Sequence, residues 1–210
     1  MGKATKAADA EHELVGSVAA ARHRTPVAAL GAASEVADQP PLVAISLITL
    51  GTGLVLREPK VTRTGARMLL AHAIATGAKT IVKKSIDRTR PGRALKDGRH
   101  RAKAAEGASD TDFNSFPSGH TAGAVSVAEA IAHEAPQFAG PARSWAAGIA
   151  AAQLPRGAHY PSDVLVGAAI GWTADAVAGA ALHFAERAIL SALGNRADQR
   201  AIAEAEAHPS

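Results

Sequence analysis

A seven-residue segment in the middle of the chain combines groups that bind anions with a group that transfers protons; it reads Ser115-Phe116-Pro117-Ser118-Gly119-His120-Thr121. It opens an apolar, alanine-rich run, so we expect a helix to start here, with Pro117 at the first helical position, where the missing N–H needs no partner. The backbone N–H groups of Ser118, Gly119 and His120 would then lie at the positive end of the helix dipole, where phosphate binds readily. The alternative is an ordinary helix start with a surface histidine.

Two further segments carry groups suited to a phosphate ester. In the first, Lys83 is separated by six residues from Arg90-Pro91, and an ammonium and a planar guanidinium are complementary ways of holding phosphate oxygens. In the second, His159 precedes Asp163 by four residues near a helix start. There a carboxylate can hold one imidazole nitrogen and leave the other free to attack or to accept a proton. Each segment borders an apolar helix, and an up-and-down bundle would bring all three to one end.

These three blocks, in this order, resemble the signature of the type 2 phosphatidic acid phosphatase superfamily, which also includes bacterial class A acid phosphatases and vanadium-dependent haloperoxidases. The resemblance covers about residues 80–165 and implies a role for each matching residue. His159 would be the nucleophile that forms a phosphohistidine, and Asp163 would orient it and stabilise its positive charge. His120 would be the general acid that protonates the leaving oxygen.

The resemblance also implies how the phosphoryl oxygens are held, by four groups and without a metal or other cofactor: Lys83, Arg90, Ser118 and the Gly119 backbone. The chain departs from the family pattern at Gln153, where the family has an arginine. Glutamine donates hydrogen bonds but brings no charge, and losing one such donor often costs on the order of a hundred- to a thousandfold in rate. Our hypothesis is that Arg156 compensates by reaching into the site.

The elements that must position these residues are helices. The apolar runs predict an all-α bundle of about five or six helices, embedded in a membrane, and we see no strand-like alternation. We expect one domain over residues 1–210, with its core at about 40–186 and polar termini at 1–13 and 187–210. The most apolar run, residues 41–56, carries no charge. It is shorter than the roughly 20 residues that cross a bilayer, so a buried core helix of a soluble bundle is the alternative.

The charge pattern points to an anionic ligand. Residues 83–103 contain nine lysines and arginines against two aspartates, and such a patch favours anions. The block lacks interleaved aromatic residues, so we do not expect nucleic acid as a partner. The absence of cysteine excludes disulfides and thiolate metal sites. Glu129 and Asp175, inside apolar helices, are either functional groups within the membrane or signs that those helices face water or protein.

The sequence predicts a multi-pass protein of the cell membrane. The basic 57–67 connection and the tail after residue 186 favour the cytoplasm, which places the site on the opposite face. The expected activity is hydrolysis of a phosphomonoester or pyrophosphate on a lipid, such as a phosphatidate or a prenyl diphosphate. Two alternatives stay open. One is a haloperoxidase that holds vanadate in the same pocket, and the other is a lipid-phosphate-binding protein whose catalysis is weakened at Gln153.

Overall fold

The structure of the protein, a computed structural model, describes residues 11, 13–19, 25–97, 102–104 and 114–207. From residue 25 onward, the described part of the chain contains seven α-helices, which we number in order: α1 Thr25–Ser34, α2 Gln39–Leu56, α3 Pro59–Lys83, α4 Pro91–Asp97, α5 Gly119–Glu134, α6 Ala139–Ala152 and α7 Pro161–Ala207. Residues 13–19 are also helical. The predicted all-α class is confirmed.

The longest helices form an antiparallel bundle. α2 ends at Arg57, which adopts a left-handed conformation with φ 56°, and α3 starts at Pro59 and packs back along α2. α3 and α5 each pack against α7, and α5 also packs against α6. α7 continues without a break to Ala207, so the charged tail extends the last helix instead of forming a separate segment.

The basic segment between α3 and α5 contains a small sheet that the sequence did not predict. Strand β1, Ile86–Arg88, pairs antiparallel with strand β2, Ala102–Ala104. Strands of three residues are too short to show an alternating pattern, which explains why this stretch was expected to be irregular. The Ser115 backbone N–H donates to the Arg88 carbonyl at 3.0 Å, so β1 also holds the start of the central motif.

Glycines on α7 let it approach α5 closely at the functional end of the bundle. A Cβ atom at Gly167 would lie 2.6 Å from the Ser118 carbonyl oxygen, and one at Gly171 would lie 2.6 Å from the Ala122 carbonyl oxygen. Contacts this short leave no room for any other residue. Small residues at such a crossing allow the helix backbones to approach, and here they bring the start of α7 beside the start of α5.

A charged cluster joins the same helices toward the other end of the bundle. Arg67 on α3 binds both carboxylate oxygens of Asp175 on α7, at 2.7 and 2.9 Å, and Glu134 on α5 at 2.9 Å. His133 lies 2.8 Å from Asp175. Asp175 is 1% exposed, so its side chain faces protein, as one of the two interpretations of the sequence expected.

Two helices are long and apolar enough to cross a membrane: α2, Gln39–Leu56, and the part of α7 at Pro161–Arg196. Only 17% of the apolar window in α2 and 28% of that in α7 is buried inside the protein. Large apolar side chains point outward from both helices, among them Ile48, Val55, Leu165 and Phe184. These surfaces are those expected of helices in contact with lipid.

The close crossing of α5 and α7 predicts that Gly171→Ala destabilises the protein. The added methyl would overlap the Ala122 carbonyl, and overpacking of this kind typically costs about 1–3 kcal/mol. Gly148→Ala on α6 is the matched control, because nothing lies within 4 Å of its Cβ position. Removing a helical glycine there should be neutral or stabilising. Thermal unfolding in detergent measures both; equal melting temperatures for the two variants would contradict the close crossing.

Candidate functional site

Backbone and side-chain hydrogen bonds bring the three predicted blocks together at one end of the bundle. The Lys83 ammonium at the end of α3 donates to the Asn114 carbonyl at 3.0 Å. The Ser118 N–H at the start of α5 donates to the Asp163 carbonyl at 3.0 Å. His159 Nδ1 lies 2.7 Å from the Ser115 carbonyl oxygen. The blocks are therefore neighbours in space, as the up-and-down arrangement predicted.

His159 lies in the turn between α6 and α7, and the turn fixes its position. Gly157 has φ 65°, a conformation that favours glycine, and its carbonyl accepts from the Gly92 N–H at 2.8 Å. The N–H groups of Ala158 and His159 point toward the Gln153 carbonyl, at 3.2 and 3.4 Å. The turn therefore wraps around residue 153 and presents the histidine to the loop that contains Ser115.

The surroundings of His159 suit a neutral imidazole with one free lone pair. A carbonyl oxygen only accepts hydrogen bonds, so the contact with Ser115 places the proton on Nδ1 and leaves the lone pair on Nε2. The side chain is buried. Burial lowers the pKa of His159, the cations of Arg90 and Lys83 lower it further, and Asp163 acts in the opposite direction. A neutral imidazole is the form that can act as a nucleophile.

Asp163 is buried beside His159, but its hydrogen bonds go elsewhere. Its carboxylate lies 3.8 Å from His159 Nδ1, which is close enough for charge attraction but too far for a hydrogen bond. It accepts instead from Arg88 at 2.6 Å, from the Tyr160 N–H at 2.8 Å and from the Ser115 hydroxyl. The expected orienting role is thus shared: the Ser115 carbonyl fixes the imidazole proton, and Asp163 fixes Ser115.

Arg88 is a residue of this site that sequence reasoning did not single out. Besides Asp163, it donates to the Ser162 hydroxyl at 2.7 Å and to Glu11 at 2.7 Å, and it lies over the Tyr160 ring, 4.1 Å from the ring centre. Glu11 also accepts from the Ser162 N–H at 2.9 Å. The only signal in the sequence was its place in the basic block, two residues before Arg90.

The start of α5 differs from the expectation by two residues. Ser118 is the N-cap, with extended backbone and a hydroxyl that accepts from the Thr121 N–H at 3.4 Å, so Pro117 precedes the helix. Because the Ser118 N–H is already bonded to the Asp163 carbonyl, it is not available to a phosphate. The backbone N–H groups of Gly119 and His120, in the first turn, remain as the anion-binding groups.

His120 faces a carboxylate that the sequence gave no reason to choose. Its Nε2 lies 3.7 Å from Glu35, which belongs to a short 3-10 turn, Glu35–Ala37, between α1 and α2. Within the part of the chain that the structure describes, Nε2 has no hydrogen-bond partner. Burial lowers the pKa of His120, and Glu35 opposes that shift. Glu35 therefore favours the protonated form that a general acid needs.

Gln153 and Arg156 lie near the site in different ways. Gln153 is fully buried, its amide donates to the Ile149 carbonyl at 2.9 Å, and its Oε1 finds no partner among the described residues. Arg156 donates to the Ser34 hydroxyl and to Glu35, each at 2.5 Å. If Arg156 reached toward position 153, both of these hydrogen bonds would break. The compensating role of Arg156 stays a prediction, and in this structure its side chain lies beside Glu35, the residue that faces His120.

Three cations border the space around these histidines. Lys83 and Arg90 act on His159 electrostatically. Lys79 lies against Gly119, with Nζ only 3.1 Å from where a Cβ would be, so the absence of a side chain at Gly119 gives the lysine room to approach. Burial lowers the pKa of Lys83 to about 8, helped by repulsion from Arg90 and Lys79. A bound anion would relieve this repulsion.

Comparisons with known proteins identify the family and the fold. The family model of the PAP2 superfamily matches residues 64–187. Aquifex aeolicus LpxE is similar in structure, with a TM-score of 0.58 and 24% identity over 79% of this chain and 92% of that chain. A transmembrane PAP2-type phosphatidylglycerolphosphate phosphatase from Bacillus subtilis has a TM-score of 0.59 and 17% identity, over 89% and 88%. Among curated proteins, no sequence matches the chain significantly.

The lowered pKa of Lys83 predicts that inorganic phosphate binds more weakly above pH 8. Lys83 is protonated below about pH 8 and loses its charge above it. Because phosphate favours the charged form, its affinity should fall roughly tenfold between about pH 7.5 and pH 9. Calorimetry measures this fall, with Lys83→Arg as the control, since arginine stays charged and the fall should largely vanish. A fall of the same size in that variant would contradict the assignment.

The buried pair of Arg88 and Asp163 predicts strong energetic coupling. Arg88→Met alone leaves the buried Asp163 carboxylate without its cation, and Asp163→Asn alone leaves Arg88 with Glu11 as its carboxylate partner. Breaking a buried ion pair from one side typically costs about 3–5 kcal/mol. The double variant removes both charges of the pair, so its loss should be smaller than the sum by about 1–3 kcal/mol.

Unfolding measurements in detergent test this cycle, and the Arg143–Glu129 pair, whose arginine side chain is 54% exposed, is the comparison. Arg143→Met and Glu129→Gln should couple much more weakly than Arg88→Met and Asp163→Asn, because water screens an exposed charge. Additive losses at Arg88 and Asp163 would contradict the paired arrangement.

Proposed function

The chain belongs to the PAP2 superfamily, and we propose that it is a membrane-embedded phosphatase that hydrolyses a phosphomonoester or pyrophosphate group on a lipid, such as a phosphatidate or a prenyl diphosphate. One observation carries the proposal: a buried histidine, His159, whose Nδ1 is held by a carbonyl and which lies within the field of Lys83 and Arg90. A nucleophile beside fixed cations is what phosphoryl transfer requires. The name of one structural neighbour, a transmembrane PAP2-type phosphatidylglycerolphosphate phosphatase, fits this class.

In the first step of the proposed mechanism, His159 Nε2 attacks phosphorus. A phosphorus–nitrogen bond forms as the bond from phosphorus to the leaving oxygen breaks, and His120 gives its proton to that oxygen. Asp163 lies 3.8 Å from His159 Nδ1, so its negative charge stabilises the positive phosphohistidine. Lys83, Arg90 and the Gly119 N–H hold the other phosphoryl oxygens as negative charge builds on them.

In the second step, water attacks the phosphohistidine. His120, now neutral, takes a proton from the water, phosphate leaves, and His159 returns to its starting form. Each step uses a group of this chain, and the cations and backbone dipoles neutralise the phosphoryl charge, so the scheme requires neither a metal nor a cofactor.

We propose that α2 and the 161–196 part of α7 cross the membrane, with the site on the non-cytoplasmic face. α2 starts at the functional end of the bundle and ends at Leu56. The expected 57–67 connection was wrong in extent: only Arg57 and Glu58 lie between the helices, and Lys60, Arg63 and Arg67 belong to the first turns of α3. Basic residues at such helix ends favour the cytoplasmic side. The site lies at the other end of both helices, so it would face away from the cytoplasm.

Gln153 favours one second candidate, a protein that binds lipid phosphates with weakened catalysis. The side chain is fully buried and brings no charge, and its Oε1 lacks a partner among the described residues. A missing donor at this position lowers stabilisation of the transition state more than it lowers binding of the ground state. This candidate predicts tight phosphate binding with little turnover.

Phosphate release by the detergent-purified protein tests the proposal, with EDTA present and with three substrates: a phosphatidate, a prenyl diphosphate and a small aryl phosphate. We expect the wild type to turn over substrate and His159→Ala to have a rate at least about 10³-fold lower, because no other group of the proposed mechanism supplies the nucleophile. A labelled substrate should leave an acid-labile phosphoryl group on the wild type and none on the variant.

His183→Ala is the matched control, because this histidine is exposed on α7, far along the helix from the site, and its loss should leave the rate unchanged. Turnover that survives in His159→Ala would contradict the mechanism. Binding of phosphate without turnover on any substrate would favour the second candidate. In that case Gln153→Arg, which restores the family's charge, should raise the rate.

A further inference from the structure

A cationic pocket borders the site, with both Arg90 and Arg156 in its lining. It has a volume of about 330 Å³, and four basic side chains line it: Arg90, Arg93, Lys96 and Arg156. Its other lining residues are two glycines and an alanine, so no acidic side chain of the described residues lines it. The resemblance of the motifs accounts for Arg90 alone. The other three cations have no role in the mechanism described above.

The pocket connects the two histidines electrostatically. Arg90, on one side, acts on His159. Arg156, on the other, acts on His120 and holds Glu35, the carboxylate that lies 3.7 Å from His120 Nε2. Because His120 protonates the leaving oxygen in the proposed mechanism, the group attached to that oxygen must extend toward this side. The pocket is therefore where the leaving group would lie.

The charge of the lining residues decides which leaving group fits. A phosphatidate would release a neutral alcohol, which gains nothing from four cations. A diphosphate would release a phosphate ester, whose oxygens can accept charge-assisted hydrogen bonds from guanidinium and ammonium groups. Glu35 offsets the charge of Arg156, and Arg93 and Lys96 line the pocket from exposed positions on α4.

We propose that this pocket is a subsite for the inner phosphate of a diphosphate lipid, and that Arg93 and Lys96 make the protein prefer diphosphates to monophosphates. The inference rests on the proposed function and narrows its substrate class. His159 Nε2 attacks the terminal phosphorus, and the bond from that phosphorus to the bridging oxygen breaks. The leaving lipid monophosphate keeps the bridging oxygen, which His120 protonates. Water then releases the terminal group as inorganic phosphate.

The test compares farnesyl diphosphate with farnesyl monophosphate, which share one lipid chain, as substrates of the wild type and of the double variant Arg93→Ala/Lys96→Ala. Loss of two charge-assisted contacts should lower kcat/KM for the diphosphate by at least roughly tenfold, and by less than about threefold for the monophosphate. The control is Arg187→Ala/Arg196→Ala, which removes the same charge from exposed positions on α7. Arg187 lies about 36 Å along the helix from Asp163, and both substrates should be unaffected.

Calorimetry with inorganic diphosphate and inorganic phosphate gives a second readout that does not depend on turnover. The wild type and the Arg187→Ala/Arg196→Ala control should bind inorganic diphosphate more tightly than inorganic phosphate. The Arg93→Ala/Lys96→Ala variant should lose that preference. If the protein binds inorganic diphosphate without hydrolysing it and turns over farnesyl diphosphate, the result would support a lipid as the source of the diphosphate group.

The outcomes separate this inference from the proposed function. An equal loss on both farnesyl substrates, or no loss on either, would overturn the subsite while the phosphatase stands. No release from either substrate, with a diphosphate preference that the double variant loses, would contradict the phosphatase and support the subsite.

Discussion

The site depends on keeping the Asp163 carboxylate charged while it is fully buried. An isolated carboxylate in such a place would be costly, so every hydrogen bond that it accepts stabilises both the fold and the site. Its three donors come from different segments: Arg88 from β1, Ser115 from the loop before α5, and the Tyr160 N–H from the turn before α7. Assembly of this one ion therefore aligns the three segments that carry the chemistry, and His159 is positioned as a consequence.

The same requirement explains features farther from the site. Arg88 itself is mostly buried and needs a second partner, which Glu11 supplies from the start of the described chain. Glu11 also binds the Ser162 N–H in the first turn of α7, where a carboxylate is stabilised by the helix dipole. Gly167 and Gly171 then allow α7 to lie against α5. Charge pairing at one end and close backbone contact beside it hold the two helix starts together.

The sequence predicted most of the fold and the three blocks that the structure brings together in the candidate site, because both leave local patterns. Apolar runs identified the long helices, and His159, Asp163, His120, Lys83 and Arg90 stood in recognisable blocks. The missed residues act over long sequence distances: Glu35 reaches His120 from another helix end, and Glu11 reaches Arg88 across more than seventy positions. No local pattern reports such pairs. The pairing of β1 with β2 was missed because three-residue strands show no period.

Position 153 shows how the charge of the site is distributed. An arginine here would add a cation beside His159, where Lys83 and Arg90 already lower the pKa of the imidazole. With Gln153 in its place, the turn still closes, because the backbone carbonyl of residue 153 faces the His159 N–H. The nearest basic residue along the turn, Arg156, instead serves the side of His120 through Glu35. The change at position 153 thus removes one charge from the family pattern and leaves Lys83 and Arg90 as the cations that act on His159. In the proposed mechanism these two cations, with the Gly119 N–H, must then neutralise the charge that builds on the phosphoryl oxygens.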